Sequence, residues 1–141
     1  MDYRRFNDTV IVRMDRGEEI VETVRKVAEK EHIRLASVEA LGATDDFTIG
    51  VYDLAAKHYD SYTFTGAYEI VSLIGTITEK DGAFYQHLHM CAGGKNGETV
   101  GGHLNRAMIS VTCEMVIRIL DGVVERRADP EIGINLLSFS D

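Results

Sequence analysis

Three of the five histidines crowd into one stretch of the chain, as Gln86-His87-Leu88-His89 and Gly101-Gly102-His103-Leu104. Neutral imidazole is a ligand for divalent transition metals, zinc, nickel, copper, iron and cobalt among them. Side chains two apart on a strand point to the same face. His87 and His89 therefore project together if this stretch is extended, with Tyr85 and Cys91 on their side and Phe84, Leu88 and Met90 on the other. Same-face neighbours stand about 6.5–7 Å apart at Cα. Two rings leaning inward can close that gap onto one ion, with bonds of about 2.0–2.1 Å for zinc. Three histidines with one open position are the pattern of a catalytic or ligand-exchanging zinc site, because closed structural sites take four protein ligands. The alternative without metal is a set of ordinary polar residues on a half-exposed strand.

His103 must arrive through a hairpin. Gly93-Gly94-Lys95-Asn96-Gly97 supplies the turn, and Gly101-Gly102 lets the backbone come close before the third histidine. The strand bearing His87 and His89 is read over residues 83–92. It follows an Asp81-Gly82 hairpin signal and the β-branched apolar run from Tyr68 to Thr78. From Met108 to Leu120, Ile109, Val111, Cys113, Met115, Ile117 and Ile119 occupy alternate positions, which predicts a strand with one apolar face. Asp121-Gly122 turns the chain, and residues 134–140 could close the sheet. Upstream, residues 9–14 read as a strand. Asp15 and Glu18 form a capping-box pattern ahead of a helix whose inner face is Ile20, Val21, Val24, Val27 and Ala28. Residues 35–42 and 47–54 read as two strands with a turn at Asp45-Asp46, while residues 55–62 suit either a short helix or a loop. One helix followed by hairpin-linked strands predicts an α+β fold with a central, mainly antiparallel sheet, as a single domain over residues 1–141.

A chain of 141 residues, 45% hydrophobic and 27% charged, can bury a core without disulfides and is neither disordered nor collagen-like. Its net charge of −8 weighs against DNA, whose binding rests first on neutralising phosphates. The basic pairs Arg4-Arg5, Arg25-Lys26 and Arg126-Arg127 form no stripe and read as solvated surface. Cys91 and Cys113 make neither a Cys-x-x-Cys motif nor a disulfide framework. No run approaches 18 apolar residues, and the first residues lack the apolar segment of a signal peptide. The expectation is a reduced, cytoplasmic protein without a membrane partner.

Auxiliary groups rank below the histidines. Glu114 faces away from Cys113 and the apolar row, and is the first candidate catalytic residue: a proton acceptor, or a brace for a histidine. The rival reading is a carboxylate paired with arginine or solvated. Cys91 is a fourth ligand by parity or a small buried hydrophobe. Glu39 and Glu69 are strand carboxylates of lower rank, and His32 and His58 read as surface. Neither a Gly-x-Ser-x-Gly elbow, a P-loop nor a dinucleotide fingerprint is present.

The segments His87-Leu88-His89, Gly101-Gly102-His103-Leu104 and Thr112-Cys113-Glu114, preceded by Gly66-Ala67-Tyr68-Glu69-Ile70-Val71 and Ser72-Leu73-Ile74-Gly75, resemble the PPC (plants and prokaryotes conserved) domain over nearly the whole chain. The resemblance implies a central, mainly antiparallel sheet with flanking helices, assembly as a homotrimer, and a metal, zinc first, at the positions of His87, His89 and His103. In land plants the domain follows an AT-hook and contacts nuclear partners through a Gly-Arg-Phe-Glu-Ile-Leu segment. Ala67 stands where that segment has arginine, which argues against the plant-type contact. The Arg-Gly-Arg-Pro core of an AT-hook is missing, and the one proline is Pro130.

Three readings follow. The first is a stand-alone trimeric protein holding Zn2+, or another divalent transition metal, at the three histidines, with a small ligand or water at the open position. If it is an enzyme, a metal-activated water would serve hydrolysis or a lyase-type hydration. The second is a DNA-associated regulatory module. The third is a non-catalytic oligomeric sensor of a small molecule. The residues select no substrate.

Overall fold

Alternating and β-branched runs cover most of this chain, and in the computed structural model they become strands. Residues 1–139 are described. In chain order these are β1 (Asp2–Phe6), β2 (Thr9–Asp15), α1 (Ile20–Lys30), β3 (Ala36–Asp53), β4 (His58–Lys80), β5 (Ala83–Gly94), β6 (Thr99–Ile119), β7 (Glu125–Ala128) and β8 (Asn135–Ser138). The fold is β-rich with one short helix, where the resemblance implied several helices. Among the described residues no helix is long and apolar enough to cross a membrane.

Sheet order runs β1-β2-β6-β3-β4-β7-β8, and β5 pairs with both β4 and β6. The strands β3, β4, β5 and β6 therefore close into a ring. All neighbours are antiparallel except β4 and β7, which meet in parallel at Glu79 and Glu125. Closure is partial: β5 and β6 pair only from His89 to Gly93, and over that span no free edge is left.

The core lies between the sheet and α1. Val10, Val12 and Met14 of β2, Cys113, Met115 and Ile117 of β6, and Leu88 and Met90 of β5 turn inward against Ile20, Val24, Val27 and Ala28 of α1. Inside the ring, Phe47 is fully buried, stacked on Phe64 at 5.2 Å and met edge-on by Tyr68 at 5.1 Å. On the outer face, Ile11, Leu41, Val71 and Ile74 stand exposed beside Glu39 and Glu114 along a shallow groove.

Three local expectations need correction. The helix is capped by Glu19, not Asp15: the Glu19 carboxylate accepts the backbone N–H groups of Val21 at 3.0 Å and Glu22 at 2.7 Å. The Asp15 N–H does donate to Glu18 at 2.8 Å, but that bond closes the turn before the helix. Residues 35–42 and 47–54 belong to one strand rather than two. The Asp45-Asp46 pair sits at a bulge, and Arg106 grips the Asp46 carboxylate with two bonds of 2.8 and 2.7 Å. Residues 55–62 are neither helix nor open loop: a turn over 54–57 leads straight into β4. The expected closing strand is β8; Ser140 lies outside the described residues.

The expected apolar row of β6 is broken at Val111, where the register with β3 shifts between Gly42 and Thr44, so burial separates two members of that row. Ile117 is fully buried and Val111 is 68% exposed. Ile117→Ala should cost about 2–5 kcal/mol, and Val111→Ala should stay within about 0.5 kcal/mol, read as shifts in the urea midpoint.

Candidate metal centre

Two hairpins bring the histidines together. Asp81 and Gly82, at φ +54° and +72°, form the tight turn between β4 and β5. Paired positive φ angles match the twist of the flanking strands and pin the register. Thr76 then faces His87, and Ile74 faces His89. The second hairpin turns over residues 95–98, with Gly97 at φ +80° and a bond from Gly94 N–H to Glu98 O of 2.9 Å. This register sets His89 directly opposite His103. Directly opposed residues have Cβ atoms about 4.5–5.5 Å apart. One same-strand pair and one cross-strand pair give a triangle of rings.

The triangle is tight. Ring centroids lie 4.9 Å apart for His87–His89, 5.1 Å for His87–His103 and 5.6 Å for His89–His103. Each ring offers one nitrogen within 4.8 Å of the other two. The Nε2 atoms of His87 and His89 face each other at 3.1 Å, so they share one proton or give both lone pairs to a cation. Tetrahedral zinc with bonds of about 2.0–2.1 Å would separate two ligand nitrogens by about 3.3 Å.

Close backbone packing permits this approach. A Cβ at Gly102 would lie 2.6 Å from the carbonyl oxygen of Gly50, and one at Gly75 would collide with the His87 carbonyl. Leu88, Met90 and Leu104 anchor the opposite faces of the same strands in the core. Tyr59 meets the His103 ring edge-on at 5.9 Å and donates its hydroxyl to Asn105 Oδ1 at 2.6 Å.

The electrostatics favour neutral imidazole. Burial pushes His87 down from 6.5 to about 4, helped by the neighbouring His103, His89 and Arg126. Burial also lowers His103, with His89 adding to the effect. Neutral rings have lone pairs to give. A cavity of about 710 Å³ opens beside them, walled by Tyr52, Tyr59, Tyr85, Arg126, Ile134 and Asn135 among others.

A family model for the Plants and Prokaryotes Conserved (PCC) domain matches residues 1–121. The chain belongs to that family. The PCC fold recurs in solved structures. A candidate DNA-binding protein from Bacteroides thetaiotaomicron is 27% identical with a TM-score of 0.95, over 98% of this chain and 96% of that one. A metal-containing protein from Archaeoglobus fulgidus is 30% identical with a TM-score of 0.88, over 99% of both chains. A plant- and prokaryote-conserved (PPC) protein from Pyrococcus horikoshii is 27% identical with a TM-score of 0.85, over 99% of this chain and 95% of that one. No curated protein matches.

Other anticipated site residues of this PCC domain fall elsewhere. Glu114 pairs with Leu41 and Arg13, eleven residues along β6 from His103, which is about 36 Å at 3.3 Å per residue. It lies on the outer groove, so within one chain it neither touches a histidine nor takes a proton from anything they hold. Cys91 is half-buried and outside the ligand cluster. Glu39 and Glu69 are exposed, as are His32 and His58, the last beside Asp60 at 3.3 Å.

The reading of Arg126-Arg127 as a solvated pair is wrong for its first member: Arg126 is 6% exposed, in the cavity wall. Tyr85 stands on the histidine side, as the alternation of β5 placed it, but Tyr59 and Asn135 were missed. No spacing in the sequence announces them, because β7 meets β4 at a single register point and β8 reaches the wall only through β7.

Two outcomes test this geometry. Gly102→Ala should lose about 1–3 kcal/mol of stability and weaken any bound metal, since its new Cβ must displace the Gly50 backbone. Metal-free protein should lose stability as pH falls from 6.5 towards 5. In that window the unfolded chain takes protons that His87, at about 4, and the lowered His103 refuse when folded. His87→Gln should flatten the fall in urea midpoint between pH 7.5 and 5. An unchanged slope would show that the ring is not desolvated.

Proposed function

We propose that this PCC-domain protein binds one divalent transition metal, zinc first, through His87, His89 and His103, leaving an open position that faces the cavity. The observation that carries this reading is the approach of one ring nitrogen from each of the three histidines to within 4.8 Å of one another. The donor set is chemically apt: all-imidazole triads suit zinc and its borderline neighbours, and an open fourth position marks ligand exchange rather than a structural staple. The similar Archaeoglobus protein is described as metal-containing, which supports the same reading. A bound ion would supply Lewis acidity toward a donor atom of an entering small molecule.

Among the described residues no carboxylate lines the cavity. Ligand binding or sensing is therefore better supported by its walls than water-activating catalysis, which would want a base in reach. We further propose that the chain assembles as a homotrimer through its outer face, where Val71 and Ile74 are 62% and 59% exposed beside Ile11 and Leu41. Two free thiols, Cys91 and Cys113, suit a reducing cytoplasm. The DNA-associated reading draws support from the description of the Bacteroides neighbour, and the net charge of −8 opposes it.

Elemental analysis of protein purified without a metal-affinity tag should give about one zinc per chain. The His87→Ala/His89→Ala/His103→Ala variant should give none. Metal-free wild type, even after zinc is supplied, removes the proposal. Light scattering should return three times the chain mass, falling to the monomer in Val71→Glu/Ile74→Glu. Duplex DNA should show no shift at low ionic strength; a shift that fades steeply with salt would favour the regulatory module.

A further inference from the structure

Arg126 is the only buried lysine or arginine among the described residues. Its Nε donates to Thr78 Oγ1 at 2.9 Å, one terminal nitrogen to the Asn135 carbonyl at 3.2 Å and the other to Thr76 Oγ1 at 3.4 Å. All three acceptors are neutral oxygens. The guanidinium lies 4.8 Å over the Tyr85 ring. Four more exposed arginines have carboxylates: Arg34 has Glu79, Arg106 has Asp46, Arg5 has Glu31 and Arg13 has Asp15. Arg126 has none among the described residues, in a chain with 23 acidic and 15 basic side chains. A guanidinium keeps its charge and carries five N–H groups, so two remain without a protein acceptor. Burying such a charge without a counter-ion is costly.

The place of this charge says what it serves. Its anchors, Thr76 and Thr78, are the cross-strand partners of His87 and Tyr85. Paired residues share a face, so the guanidinium and the histidine triad border the same cavity. Around them stand Tyr52, Tyr59, Val51 and Ile134, which offer ring and methyl surface but no negative charge.

We propose that Arg126 is the anion-binding half of the cavity, and that the ligand is a small organic carboxylate with an apolar or aromatic body lying toward the histidine cluster. A planar carboxylate matches the fork of a guanidinium, and neutralising a desolvated arginine makes the interaction strong. The ligand's orientation rests on the metal reading; the carboxylate's capture by Arg126 does not. Compared with the metal site alone, this names the chemical class that enters.

Benzoate is the probe, with benzamide as its uncharged isostere and inorganic phosphate as the other anion. Calorimetry is run at fixed ionic strength on zinc-supplied wild type, Arg126→Gln and Arg126→Lys, with metal content measured in each. Benzoate should bind wild type at least tenfold more tightly than benzamide or phosphate. It should weaken at least tenfold in Arg126→Gln and recover in part in Arg126→Lys, with metal content unchanged. The benzoate–benzamide comparison uses wild type alone, so it decides even if the variants fail to fold. Equal binding of benzoate and benzamide, equal binding by wild type and Arg126→Gln, or tighter phosphate binding overturns the proposal. Benzoate binding that depends on Arg126 in protein without metal upholds it and removes the metal reading instead.

Discussion

The register between β5 and β6 governs everything chemical in this molecule. His89 stands opposite His103 because the second hairpin turns over residues 95–98 and no other span. A slip of one residue would send His103 to the core face and Leu104 to the cavity, since neighbours along a strand alternate sides. Leu88, Met90 and Leu104 resist that slip from the buried side. The apolar half of each strand thus enforces the alignment of its polar half. The site is a by-product of core packing as much as of its own residues.

That dependence explains what the sequence disclosed. The histidine spacing and the alternation of β5 put His87 and His89 on one face, and the glycine-bearing turn brought His103 back towards them, because these signals are local; the register that sets His103 opposite His89 came only with the fold. The long β3 defeated the same logic. Asp45-Asp46 looks like a turn until Arg106, sixty residues away, takes up the charge and lets the strand run on through a bulge. Glu114 misled for a related reason: parity placed it correctly off the apolar face, but parity carries no information about distance along a strand. Arg126 was hidden because its burial depends on β7 and β8 folding over the end of β4, and short strands with a single pairing point leave little periodicity to read.

Charge is distributed with some economy. The acidic excess is spent on exposed strands and on partners for Arg34 and Arg106, and it stops at the cavity wall. Inside, burial holds His87 and His103 neutral while Arg126 keeps its proton. The cavity is therefore basic in a protein that is acidic outside. Such a contrast lets a small anion be favoured within while large polyanions are repelled from the surface.

The ladder between β5 and β6 stops at His89 and His103. Beyond that rung β5 stays with β4, β6 stays with β3, and the gap is stoppered by α1, where Gln86 reaches the Val21 carbonyl at 3.0 Å and Arg25 covers Phe84. The three rings thus sit at the crotch of a fork, two on one tine and one on the other. An ion gripped there would act as a rivet, and its arrival or departure would stiffen or free the very point at which the barrel wall begins to split.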